Sequence, residues 1–184
     1  LPQAQPMNLP ANVVIVNFLA FQLLWPAAVL GASLGWAMLA WCVLLAMLIT
    51  QVALTGRWRN DGVLVVAGAA LCVVMEPLWL LTDALEYRNW PHRWWAPHWV
   101  WALWMGFAVS FRYSLGWLCG RPALAALFGA VGGVFSVTMG MRLGAASAPQ
   151  GWVLLAVIYA IGWAIAVPIL AQVATMTMRG KENA

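Results

Sequence analysis

Residues 62–81 read GVLVVAGAALCVVMEPLWLL, twenty positions carrying one charge, Glu76. A helix crosses the roughly 30 Å hydrocarbon core of a bilayer with about 20 apolar residues. The stretch therefore reads as a membrane span, and the carboxyl group inside it as an expensive exception. No period-2 alternation is present, which argues against an outer-membrane barrel.

Five more segments of this kind flank it. The spans expected are 11–30, 34–55, 62–81, 98–118, 123–143 and 152–176. Turn and polar residues cluster between them, as at Gly31–Ser33, Gly56–Asp61, Gly120–Pro122 and Ala145–Gly151. The fold expected is an all-α integral membrane protein, one domain over 1–184, built as a bundle of six transmembrane helices. Composition agrees. Of 184 residues 65% are hydrophobic and 8% charged, too few charges to clothe a soluble domain, which carries about 25%. A cytosolic enzyme, a nucleic-acid binder and a disordered chain are excluded on that ground.

Net charge is +4, with the basic residues spread singly along the chain. Six spans place both termini on one side with Arg57, Arg59, Arg121, Arg179 and Lys181, against Arg88, Arg93 and Arg142 on the other. Five against three favours cytoplasmic termini. Residues 1–6 precede the first methionine, Met7, and read as an upstream extension or an expression remnant. The first span lacks the basic flank of a signal peptide and reads as a retained helix.

The longest connection, Asp83–Pro97, is too short for a domain and too apolar for a free tether. It reads as a Trp-rich loop or half-helix at the outer interface. Seven of the 14 tryptophans fall between Trp79 and Trp104. Indole suits the membrane–water boundary, so Trp90, Trp94, Trp95 and Trp99 fit an aromatic belt; the sharper reading is a platform for a lipid, pigment or quinone-like ligand.

Charges within spans mark candidate sites. Glu76 lies about two-thirds across the third span, with Asp83 on the same helix face. Arg112 lies near the inner end of the fourth, either in a polar site or snorkelling to the headgroups. His98, Trp101, Met105, Ala108 and Arg112 form one helical stripe. Asp83, His98 and Arg142 are expected as an outer polar cluster above Glu76. Asn17, Gln22, Gln51 and Gln172 form an inner polar set, which interhelical hydrogen bonds alone would explain.

Small residues give a packing signal. Gly31/Gly35, Gly116/Gly120, Gly129/Gly133 and Gly140/Gly144 are Gly-x-x-x-Gly pairs. Gly129, Gly133, Ser136 and Gly140 make one stripe, which predicts that the fifth span is central in the bundle or a dimer seam. Pro26 and Pro168, in the first and last spans, fit an inverted repeat with broken helices.

Cys42, Cys72 and Cys119 are odd in number and form no C-x-x-C, so reduced structural thiols are expected. No metalloprotease, phosphate-loop or nucleophile-elbow motif occurs. No metal or cofactor is expected; the pair His92/His98 is a poor candidate for a metal or haem.

Three stretches carry a family resemblance. Leu103-Trp104-Met105-Gly106-Phe107-Ala108 with Ser114-Leu115-Gly116-Trp117-Leu118 is similar to a signature LWxxFA…SLxWL. Asn17-Phe18, Phe21-Gln22-Leu23, Trp25 and Val29-Leu30-Gly31 resemble the first helix of the same family. Gly132-Gly133, Ser136, Gly140 and Arg142–Ala145 resemble its fifth. The family is a small bacterial inner-membrane one, catalogued as domain of unknown function 2878. The resemblance implies a helical inner-membrane protein and no assigned activity. The chain departs from the family pattern at Glu76 for Asp, at Phe111-Arg112 where Asn is usual, and at Val137-Thr138 where an aromatic pair is usual.

The leading expectation is an accessory protein that binds or handles membrane lipid or a hydrophobic small molecule near Glu76, Asp83, His98, Trp94, Trp95, Trp101, Arg112 and Arg142. A small transporter using Glu76 as a proton-linked carboxyl and an assembly subunit of a membrane complex, homo-oligomeric or with other partners, stand beside it. A membrane enzyme ranks last, for want of a recognisable nucleophile or metal set.

Overall fold

A computed structural model of the chain describes residues 9–179. Residues 1–6, Met7 and Lys181 lie outside the described residues, as does the side chain of Arg179. Six α-helices run α1 Ala11–Leu34, α2 Leu39–Thr55, α3 Trp58–Leu80, α4 His98–Ser110, α5 Pro122–Arg142 and α6 Trp152–Arg179. Helices α1, α3, α5 and α6 are long and apolar enough to cross a membrane.

The distribution of polarity is the reverse of a soluble protein's. Leu23, Val66, Phe135 and Val153 are each more than 60% exposed, while Asn17, Gln51, Asp61, Glu76 and Arg112 are buried to 2% or less. A soluble monomer does not expose so much contiguous apolar surface. A bundle in lipid does so freely and holds its polar groups inside.

The fourth helix is shorter than the sequence reading. A span over 98–118 is expected, yet α4 stops at Ser110 after 13 residues, about 20 Å of rise. Turns and a short 3-10 segment at Gly116–Leu118 follow. Side chains, near and distant in sequence, take up backbone groups around the break. Ser110 Oγ donates back to Gly106 O at 3.0 Å. Asn17 Oδ1 accepts from both Ser114 N at 3.2 Å and Ser114 Oγ at 2.6 Å. Cys119 Sγ donates to Phe111 O at 3.5 Å. Non-helical backbone at membrane depth survives only inside protein, and Phe111, Arg112, Tyr113 and Leu118 are all buried. Arg112 therefore sits on a buried turn rather than on a helical stripe with His98.

Packing runs α2–α1–α4–α3–α6–α5, with α2 also against α4. The expectation of a central fifth helix is thus corrected. Helix α4 touches α1, α2 and α3, whereas α5 stands at the rim along α6. Its glycines explain this. A Cβ on Gly129 would strike the carbonyl of Trp163, and one on Gly133 would lie 2.5 Å from the Trp163 ring. They let α6 approach at Trp163, Gly129 against its backbone and Gly133 against its ring. Gly132 and Gly140 face open space. The other three Gly-x-x-x-Gly pairs are not packing pairs, because Gly35, Gly120 and Gly144 lie beyond helix ends with φ of 81°, 78° and 75°.

A two-residue antiparallel pairing, absent from the sequence reading, joins two loops. In it β1 (Glu86–Tyr87) faces β2 (Ala146–Ser147), and Gln150 Nε2 donates to Thr82 O at 2.6 Å. The Trp-rich connection is thereby held against the α5–α6 loop, and Tyr87 is pinned above the bundle.

Candidate functional site

Glu76, on α3 one residue before Pro77, is 1% exposed. Its Oε2 accepts from Trp79 Nε1 at 2.8 Å and from Tyr87 OH at 2.7 Å. Its Oε1 accepts from Trp104 Nε1 at 2.9 Å. Trp79 lies one helical turn further along α3, Tyr87 comes from the pinned loop, and Trp104 from α4. Burial, with the nearby Glu76 charge adding to it, holds the Tyr87 phenol well above its ordinary pKa, so it stays an O–H donor.

These rings continue into a larger aromatic assembly. Trp104 stacks on Trp163 of α6 with centroids 4.5 Å apart and planes 9° apart. Trp79 lies 4.6 Å from Tyr159, and Tyr87 meets Trp99 edge-on at 5.3 Å. Trp163 Nε1 is buried and meets no acceptor in hydrogen-bond geometry.

Against this assembly lies a cavity of about 480 Å³. It occupies the gap between α1 and α5, the two arms left open by the packing order. Trp25 Nε1 crosses the gap to Ser136 Oγ at 2.8 Å. Glu76, Tyr87, Trp104 and Trp163 line it on one side, Phe21 and Phe128 on others, and Gly132 and Gly140 leave room along α5. Its size falls in the range of about 300–1,000 Å³ typical of small-molecule sites, and its wall has their usual chemistry, apolar and aromatic with few polar groups.

The other expected site residues lie elsewhere. Asp83 has left the helix, at φ 55°, and forms an exposed ion pair with Arg93 at 2.8 Å. His98 Nδ1 accepts from Trp41 Nε1 at 3.0 Å. Trp101 Nε1 donates to Ala96 O at 3.1 Å. Trp94 and Trp95 are 68% and 49% exposed and point away from the bundle. Arg142 is exposed in the last turn of α5. The expected cluster of Asp83, His98 and Arg142 above Glu76 is thus dispersed over the end of the molecule. Of the α5 stripe, Gly133, Ser136 and Gly140 line the cavity, as does Gly129.

Arg112 belongs to a second, separate polar group. Its Nε lies 3.8 Å from Asp61 Oδ1, and its Nη1 donates to Thr177 Oγ1 at 2.9 Å. Tyr113 OH donates to Asp61 at 2.8 and 2.9 Å. Asn60 Nδ2 donates to Thr177 O at 2.8 Å. These bonds tie α3, the turn after α4 and α6 together at the end of the bundle away from Tyr87. Asp61 counts as a turn residue in the sequence because it closes the polar stretch Gly56–Asp61. The helix starts earlier, at Trp58, and carries it inside.

Among the described residues no group of His, Cys, Asp and Glu is arranged to hold a metal ion. The fold and the site define a helical, membrane-compatible protein with an aromatic cavity around a buried carboxyl group. The model of the DUF2878 family, proteins of unknown function, matches residues 14–169, and the chain belongs to that family. No curated protein and no solved structure matches the chain.

Proposed function

We propose that the chain is a six-span protein of the bacterial inner membrane that binds a lipid or another hydrophobic small molecule in the cavity between α1 and α5. One observation carries the reading: a cavity of about 480 Å³, walled by aromatic rings, with the buried Glu76 on its wall. A structural carboxyl needs its donors but no adjoining space. In the proposed arrangement α2 and the α4 segment with its buried turn complete six crossings. The end opposite Tyr87 is the cytoplasmic one in this reading, which is supported by the count of bases in the sequence, Arg57, Arg59, Arg121, Arg179 and Lys181 against Arg88, Arg93 and Arg142. Ligand enters sideways from the bilayer past Trp25 and Ser136, and the apolar walls hold its body.

A second reading, a small transporter working through Glu76, is favoured by the burial of that carboxyl beside the cavity. It requires a path past Phe107 and Phe111, whose rings meet edge-on at 5.0 Å on the cytoplasmic side.

A photoreactive diazirine-tailed alkyl probe tests the binding reading. Cross-links are expected on the cavity residues Phe21 and Phe128, and they are expected to vanish in Gly140→Leu, whose added Cβ meets open space in the cavity wall. Cross-links confined to outward residues such as Val66 and Val153, equal in both proteins, would overturn it.

A further inference from the structure

The donor set of Glu76 matches a carboxylate. An indole N–H only donates, and an ionised carboxylate only accepts, with about four lone-pair positions. Three donors are fixed on the two oxygens, two on Oε2 and one on Oε1. One acceptor position on Oε1 is therefore open, in a residue that lines the cavity. A buried carboxylate also calls for an opposite charge. Among the described residues the ion pairs are Arg93–Asp83 and Arg112–Asp61, and Glu76 belongs to neither. The surrounding wall is aromatic instead, with Trp104, Trp163 and Tyr159 among the residues that line the cavity beside Glu76. Aromatic rings attract a cation held over a face within about 6 Å of the ring centre.

Resting on the cavity reading above, we infer that the occupant is an organic cation, with an ammonium group at the open side of Glu76 and an apolar body along the aromatic wall. The ammonium supplies the missing charge and fills the vacant acceptor position. The rings replace the water it leaves behind. A neutral tail of equal length would gain the apolar contacts alone. The same chemistry is offered by the headgroup of an amine lipid and by a free lipophilic amine.

The full chain in maltoside micelles, which carry neither charge nor amine, is titrated with dodecylammonium, whose N–H groups donate, and separately with dodecanol, following tryptophan fluorescence. Saturable binding of the ammonium, tighter than that of the alcohol by about tenfold or more, is expected, a gap of about 1.4 kcal/mol. Glu76→Gln is expected to remove the gap and Glu76→Asp to keep most of it. Micelles containing phosphatidylethanolamine distinguish the sources: a weakened apparent affinity for the probe identifies the lipid headgroup, and an unchanged one the free amine. Equal binding of ammonium and alcohol to the unaltered protein, with Gly140→Leu abolishing both, would overturn the cation and leave the cavity reading standing. No saturable binding of either probe would overturn both. The comparison of the two probes on the unaltered protein decides the matter even where Glu76→Gln fails to fold.

Discussion

Trp104 lies flat against Trp163, ring centroids 4.5 Å apart, while its Nε1 holds Glu76 Oε1 at 2.9 Å. One indole thus joins α4 to α6 by its face and to α3 by its edge. Trp104→Phe keeps the stack and deletes the bond. Interhelical hydrogen bonds in membrane proteins average about 0.6 kcal/mol and reach about 1.7. A loss at the upper end of that range is expected, since the acceptor is a buried carboxyl. Trp104→Ala also empties the space of a buried ring and should cost about 3–5 kcal/mol in all, well above the loss in Trp104→Phe. Unfolding of the purified protein measures both, and equal losses would contradict the dual role.

The glycines of α5 supply an internal control. Gly129→Val drives a side chain into the carbonyl of Trp163 and Val167 and should destabilise by about 1–3 kcal/mol. Gly132→Val, three residues on, meets nothing within 4 Å and should leave stability near that of the unaltered protein. Thermal unfolding of the two variants side by side gives the answer. Equal losses would mean that α5 does not seat Trp163.

At the opposite end Asp61 and Arg112 are a buried pair, and breaking one should be worse than removing both. Asp61→Asn strands the guanidinium, and loss of about 3–5 kcal/mol is expected for such a broken buried pair. Arg112→Met takes the buried guanidinium from the carboxylate and leaves it the Tyr113 hydroxyl. The double variant should recover part of that loss. Additive losses in the double-mutant cycle would show that the two do not act together.

Orientation is testable with a membrane-impermeant thiol reagent. Trp94→Cys and Gln150→Cys lie on loops held together by the bond from Gln150 to Thr82, so they should label from the same side. Arg59→Cys, at the other end of α3, should label only after the membrane is opened. Labelling is read over the background of the unaltered chain. Trp94 and Gln150 reacting from different sides would contradict the six crossings.

Much of this was legible in the chain, and the reasons differ by residue. Five of the six helices lie close to the apolar runs because hydrophobic length alone sets them. Glu76 was legible as the single charge in its span. Its partners were not, because Trp104 is 28 residues away and Tyr87 belongs to a loop whose position depends on the β1–β2 pairing. Asn17 was legible as an inner polar residue. That its amide oxygen takes both donors of Ser114, 97 residues on, was not. The Trp-rich segment drew attention by count, yet Trp94 and Trp95 face outward, while the cavity takes its tryptophans from α1, α4 and α6. Tertiary packing, unlike span length, leaves no periodic trace in a chain that is apolar on every face.

The occupied cavity is the centre of this account, and native mass measurement of the protein extracted gently from its membrane tests it most directly. The unaltered chain should retain one bound small molecule or lipid that Gly140→Leu, equally folded by circular dichroism, has lost. The same bound mass on both proteins, or none on either, would contradict it.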